Sequence, residues 1–164
     1  MRGYSPYKLL ELILPDGPPS SLSDDGTKYL ASVCSCDSCR LDTGMEWSEW
    51  AFLPTANISL DAQGTKTFFL PFETLKAYRS SFGVIRYHCS SCSASVFYQK
   101  DDRPGLISIA VGLMSAPEEA RADTWLEWDT SGIGFREDAV GQAKELNVAV
   151  EDGLARYGKR TEQV

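Results

Sequence analysis

Between Tyr29 and Leu113 apolar and polar residues come in short runs rather than at helical spacing. Tyr29 to Val33 is one such run. WAFLP (50–54), TFFLPF (67–72), LKAYRS (75–80), GVIRYHC (83–89), ASVFYQ (94–99) and LISIAVGL (106–113) are the others. They are rich in β-branched and aromatic residues and bounded by Gly, Pro, Ser and Asp, which predicts strands. Near the C-terminus the period changes. Leu146, Val150, Leu154 and Tyr157 keep one face at steps of three and four, which predicts a helix over residues 143–158. PDGPPSSLSDDGTK (15–28) has no apolar repeat and reads as a loop, and a short helical turn is expected after Cys39. The pattern describes one all-β domain over residues 1–164 with a C-terminal helix.

Composition narrows the function classes. The chain has 164 residues, enough for one substantial core, with 43% apolar and 24% charged residues. Its net charge of −7 argues against nucleic acid, whose phosphates demand Lys and Arg clusters, and against anionic membranes. No apolar run reaches the eighteen residues a membrane span needs. LLELIL (9–14) is short, is broken by Glu11 and has no small-residue cleavage site after it, so no signal peptide is expected. The five cysteines fall in two tight clusters, where a secreted disulfide framework would spread an even number. A reducing cytoplasm and metal-binding thiolates fit that arrangement better.

The first cluster is VCSCDSCR (33–40), with Cys34, Cys36 and Cys39 in six positions. C-x-C-x-x-C can wrap three sulfurs around one divalent ion because the turn bends the chain back. Zinc takes four ligands in structural sites, and three plus water or substrate in catalytic ones. The nearest fourth side chain, Asp37, sits inside the turn, which leaves the fourth place open to solvent or substrate. Three buried neighbouring thiols are the plain alternative. The second cluster is HCSSCS (88–93). Cys89-x-x-Cys92 is half of a zinc knuckle, two inert thiols or a redox pair.

These clusters, their order and their surroundings resemble the glutathione-dependent formaldehyde-activating enzyme family, which includes centromere protein V. The resemblance runs from about Gly3 to about Gly112. It is carried by CSCDSCR with Gly44, by YRSSFGVIRYHCSSC and ASVFY, and by LISIAVGLM. It implies a small all-β architecture of the β-tent type and zinc-dependent carbon–sulfur lyase chemistry on glutathione adducts. The catalytic zinc would sit on Cys34, Cys36 and Cys39. The family's structural zinc is held by an N-terminal C-x-C and the later C-x-x-C. Here Tyr4 and Pro6 stand where those cysteines belong, with Tyr7 in place of glycine. The C-G-x-C-G pattern reads Cys89-Ser90-Ser91-Cys92-Ser93, without the glycines that suit a positive-φ knuckle. The expectation is one zinc per chain, with the structural zinc lost.

The candidates around the triplet follow from chemistry and position. Asp37, Glu46 and His88 are the acid–base candidates. His88 is the single histidine, suited to proton transfer but equally to a hydrogen-bonded place on a strand. Asp37 also reads as a turn residue. Arg40, Trp47, Trp50, Tyr78, Arg79 and Arg86 are the candidates for binding substrate. The arginines suit carboxylates, although Arg40 could equally tie down its loop. Trp50 and Phe52 share one strand face and Trp47 the other, placed to wall a pocket or to pack the core. By the resemblance, Tyr78, Arg79 and Arg86 approach the same cleft; otherwise they form a surface ladder. Trp125 and Trp128 carry no motif and either cover the cleft or close the core.

Three functions are consistent with these residues. The first is a zinc lyase making or breaking a C–S bond between glutathione and a small carbonyl compound. The second keeps the zinc as a Lewis acid and acts on a larger, more apolar metabolite by elimination, isomerisation or cyclisation. The third is non-catalytic zinc binding. A small-molecule partner, and neither nucleic acid nor membrane, is common to the first two.

Overall fold

The computed structural model describes residues 27–58, 74–114 and 122–161. Seven strands and two helices follow in chain order. They are β1 (Tyr29–Cys34), α1 (Asp37–Thr43), β2 (Ser48–Pro54), β3 (Leu75–Ser81), β4 (Val84–Cys89), β5 (Ser95–Lys100), β6 (Leu106–Ala110), β7 (Leu126–Trp128) and α2 (Gln142–Thr161). The strands form one mixed sheet in the order β3-β4-β5-β6-β2-β1-β7. Every pairing is antiparallel except β1 with β7. The fold is thus small and all-β, with a C-terminal helix.

Side chains alternate across a strand, so each strand feeds two faces. Tyr29, Ala31 and Val33 of β1, Ala51 and Leu53 of β2, Ile107 and Ile109 of β6, and Phe97 of β5 are buried together in the apolar core. Trp128 and Leu154 join them, from β7 and α2. The opposite face is more polar. The cross-strand pairs Cys34–Ser48, Ser32–Trp50, Phe52–Ser108, Ser108–Tyr98, Tyr98–Arg86 and Arg86–Tyr78 draw a line across the sheet on that side. Helix α1 reaches this line: its Cys39 and Asp42 both bond Arg86.

Several expectations need correction. The helical turn expected after Cys39 begins before it, at Asp37, and ends at Gly44, whose φ of 71° is the left-handed geometry glycine suits. β6 stops at Ala110, and Val111–Leu113 is a single 3-10 turn. β7 has no counterpart in the sequence reading. On α2, Leu146 is exposed and Asn147 is buried instead. Among the described residues no helix is long and apolar enough to cross a membrane. LLELIL, residues 15–26 of the expected loop, TFFLPF, and Tyr4, Pro6 and Tyr7 lie outside the described residues.

Candidate metal centre

The three sulfurs converge because three different local structures meet within six residues. Cys34 ends β1, where a bridge to Gly134 and the Ser35 N–H bond to the Gly134 carbonyl (3.0 Å) fix the chain. Cys36 is the N-cap of α1, and its sulfur accepts the Cys39 N–H at 3.3 Å. Cys39 lies in the first turn and is buried. All three Sγ atoms fall within 4.8 Å of one another. Zinc–sulfur bonds of about 2.3 Å at tetrahedral angles would put sulfurs ~3.8 Å apart, so little contraction would seat an ion. The donor set, three thiols and no hard oxygen, fits a borderline or soft cation. Among the described residues this is the cluster that could hold a metal.

The three thiols also act on one another. Hydrogen bonds from Cys34 and Cys36, then the guanidinium of Arg86, hold the Cys39 thiol far below its ordinary range against the pull of burial. The hydrogen bonds Cys34 makes to Cys36 and Cys39, together with burial, push its thiol up.

Arg86 carries the cluster into the sheet. Its side chain is 3% exposed. Nη2 donates to Cys39 Sγ and to Ser38 Oγ, both at 3.3 Å. Nη1 donates to Asp42 Oδ2 at 3.1 Å and Nε to Ser80 Oγ at 3.2 Å. The guanidinium carbon lies 5.7 Å from the Trp50 ring and 5.5 Å from the Tyr98 ring, cation–π distances. Trp50 and Tyr98 themselves meet edge to face at 4.8 Å.

Asp42 is the acceptor on which this network closes. It takes His88 Nε2 at 2.7 Å and the Tyr78 hydroxyl at 2.8 Å on Oδ1. It takes Arg86, and the Ser95 hydroxyl at 2.7 Å, on Oδ2. Burial pushes its carboxyl up. The hydrogen bonds from Ser95 and Tyr78 and the charges of Arg86 and His88 outweigh that and hold it below the usual carboxylate range. Asp42 was absent from the sequence candidates. Its signal was its position, three residues after Cys39 and so on the same helical face.

Helix α1 divides the residues around it into two groups. Ser38, Cys39 and Asp42 face Arg86, His88 and Tyr78. On the other side Asp37, Arg40 and Glu46 line a cavity of about 300 Å³ with Asp138, Val140 and Asn147. The Asp37 N–H donates to Asp138 Oδ2 at 3.2 Å, and Arg40 pairs with Asp37 at 2.9 Å. Buried Asn147 of α2 donates to Ser35 Oγ at 3.2 Å and braces the cysteine loop from behind.

Other candidates fall elsewhere. Arg79 points to the sheet face opposite Tyr78 and pairs with Asp101 at 2.8 Å, away from the sulfurs, as strand alternation requires. Trp50 is buried, 1% exposed, with Arg86 and Tyr98 packed against it. Its Nε1 is buried without a hydrogen-bond partner among the described residues. Trp47 is half-buried against the apolar core. Trp125 and Trp128 pack with the core as well. At the second cluster Cys89 is buried and Cys92 exposed. Ser93 takes a φ of 62° where the resemblance places a glycine.

The profile of the family described as glutathione-dependent formaldehyde-activating enzyme matches residues 21–128, and the chain belongs to that family. No curated protein matches the chain. Among solved structures, a crystal structure of a Rhodobacter sphaeroides protein is 19% identical, with a TM-score of 0.39, covering 60% of this chain and 80% of that one.

Proposed function

We propose that this family member is a zinc enzyme of the carbon–sulfur lyase type, acting on the adduct of a thiol with a small carbonyl compound. The observation that carries the reading is the convergence of three thiols within 4.8 Å beside a buried guanidinium. Cys34, Cys36 and Cys39 would hold the ion and leave one position open. When bound, zinc would supply a positive charge that stabilises a thiolate and polarises a carbonyl oxygen. Arg86 offsets the negative charge that three thiolates bring. His88 carries the proton. In the lyase direction the adduct hydroxyl gives its proton to the imidazole and the C=O bond forms. The C–S bonding pair leaves on sulfur, which takes that proton from the imidazolium to become the free thiol and restores the neutral imidazole.

A second reading, a substrate other than a glutathione adduct, draws support from the cations. Glutathione carries two carboxylates. Arg86 is spent inside the protein, Arg79 lies on the opposite face with Asp101, and Arg40 is tied to Asp37 beside Glu46 and Asp138. That environment suits a less anionic, more apolar metabolite.

Elemental analysis of protein purified without chelator tests the metal. One zinc per chain is expected in the parent and much less in Cys34→Ser. Folded parent protein without metal, under zinc-replete growth, would sink both readings. Turnover of formaldehyde–thiol mixtures with and without glutathione then separates them. Stoichiometric zinc with no turnover of any adduct points to binding alone.

A further inference from the structure

We propose that Asp42 is a positioning residue that fixes His88 as the Nε2–H tautomer and joins it, through Arg86, to the Cys39 sulfur. The proposal deepens the reading above by naming the group that orients its proton carrier. One of its two ends does not depend on metal.

The tautomer follows from the acceptor. An ionised carboxylate offers about four lone-pair sites and no hydrogen. All four sites of Asp42 are taken, by His88, Tyr78, Arg86 and Ser95, and its side chain is 1% exposed. A 2.7 Å contact from Nε2 to such an oxygen requires the hydrogen on nitrogen. In the neutral ring the lone pair is then on Nδ1. Among the described residues Asp42 is the hydrogen-bond partner of the His88 ring, and the His88 side chain is 17% exposed. Tyr78 stacks on the ring at 5.2 Å and 30°, which fixes its plane. Lys76 stands opposite His88 on β3, Ser95 opposite on β5, and Arg86 two residues before it on β4. The ring is therefore held on one edge and one face, with its basic nitrogen on the remaining edge. The same carboxylate anchors Nη1 of Arg86, whose Nη2 rests on Cys39. Three hydrogen bonds run from sulfur to imidazole.

His88 is the single histidine of the chain, so its ring nitrogens can be followed without assignment ambiguity. In the parent, nitrogen NMR of the metal-free protein should show one fixed Nε2–H tautomer with an exchange-protected N–H. In Asp42→Asn that proton should exchange at least tenfold faster. Tyr78→Phe and Ser95→Ala each remove one donor from Asp42 and leave its charge. They should give smaller accelerations and serve if Asp42→Asn does not fold. Cobalt(II) is the probe at the other end. Its thiolate charge-transfer band should shift in Asp42→Asn and stay unchanged in His88→Gln, since the Arg86 anchor is lost only in the first. An Nδ1–H tautomer in the parent, or unprotected exchange equal in parent and variants, would overturn the proposal. An unshifted cobalt band in Asp42→Asn would overturn its Arg86 half. A parent that takes no cobalt would refute the metal reading and leave the NMR result to decide the tautomer.

Discussion

The two sides of α1 are built by opposite rules. Toward the sheet, Ser38, Cys39 and Asp42 meet Arg86 in a space where both charged side chains are 3% exposed or less. Toward the cavity, Arg40 and Asp37 form an ion pair with 46% and 64% of their side chains exposed. Charges on the first side have several partners each and no water to replace a lost one. Charges on the second side can trade partners for solvent. The buried side is fixed by its mutual contacts, and the open side is free to rearrange.

The largest expected break comes on the buried side. Arg86→Met would leave Asp42 charged and buried without its guanidinium partner, which typically costs about 3–5 kcal/mol. Urea denaturation measures this, and a loss below about 1 kcal/mol would show that water reaches the network. Next is acid. Because the folded carboxyl of Asp42 is held low, its stabilisation is complete above the unfolded value of about 3.9. It is lost as pH falls from there through the depressed folded value. The gap in melting temperature between parent and Asp42→Asn should therefore narrow as pH falls below about 3.9. A gap that does not change with pH would mean that Asp42 is not the titrating group. Gly44→Ala probes the helix both sides share. Nothing lies within 4 Å of the added Cβ, so the cost is the left-handed backbone alone, about 1–2 kcal/mol. The smallest effect belongs to the open side. Arg40→Ala should change stability by less than about 0.5 kcal/mol, since exposed pairs contribute little. It should leave metal content unchanged and alter substrate affinity instead. A stability loss as large as that of Arg86→Met would erase the contrast.

Much of the fold was legible because it is periodic. The described strands from β1 to β6 coincide with apolar runs bounded by turn residues. β7 did not announce itself: three residues, LEW, hold their place by parallel pairing to β1, a contact nearly a hundred positions away in the chain. The sulfur triplet was readable because a short C-x-C-x-x-C has few ways to avoid convergence. Its surroundings were readable only where face and period agree. Arg86 and His88, two apart on β4, do share a face. Arg79, one after Tyr78, could not join them, and strand alternation already placed it on the other side. Asp42 escaped because the helix was expected to start after Cys39; begun at Asp37, it carries Cys39 and Asp42 on one face. Asn147 escaped because an apolar count favoured Leu146, while the buried partner it meets, Ser35, is polar.

The sulfur of Cys36 has two duties in one place. It closes the first turn of a seven-residue helix by accepting the Cys39 amide hydrogen, and it is one of the three thiols of the triplet. A helix that short has little stability of its own. Deuterium uptake at the Cys39 amide should therefore act as a clock for the time an ion spends in the triplet. Each departure that lets the Cys36 sulfur swing away would uncover that one hydrogen, so residence time becomes readable without any substrate.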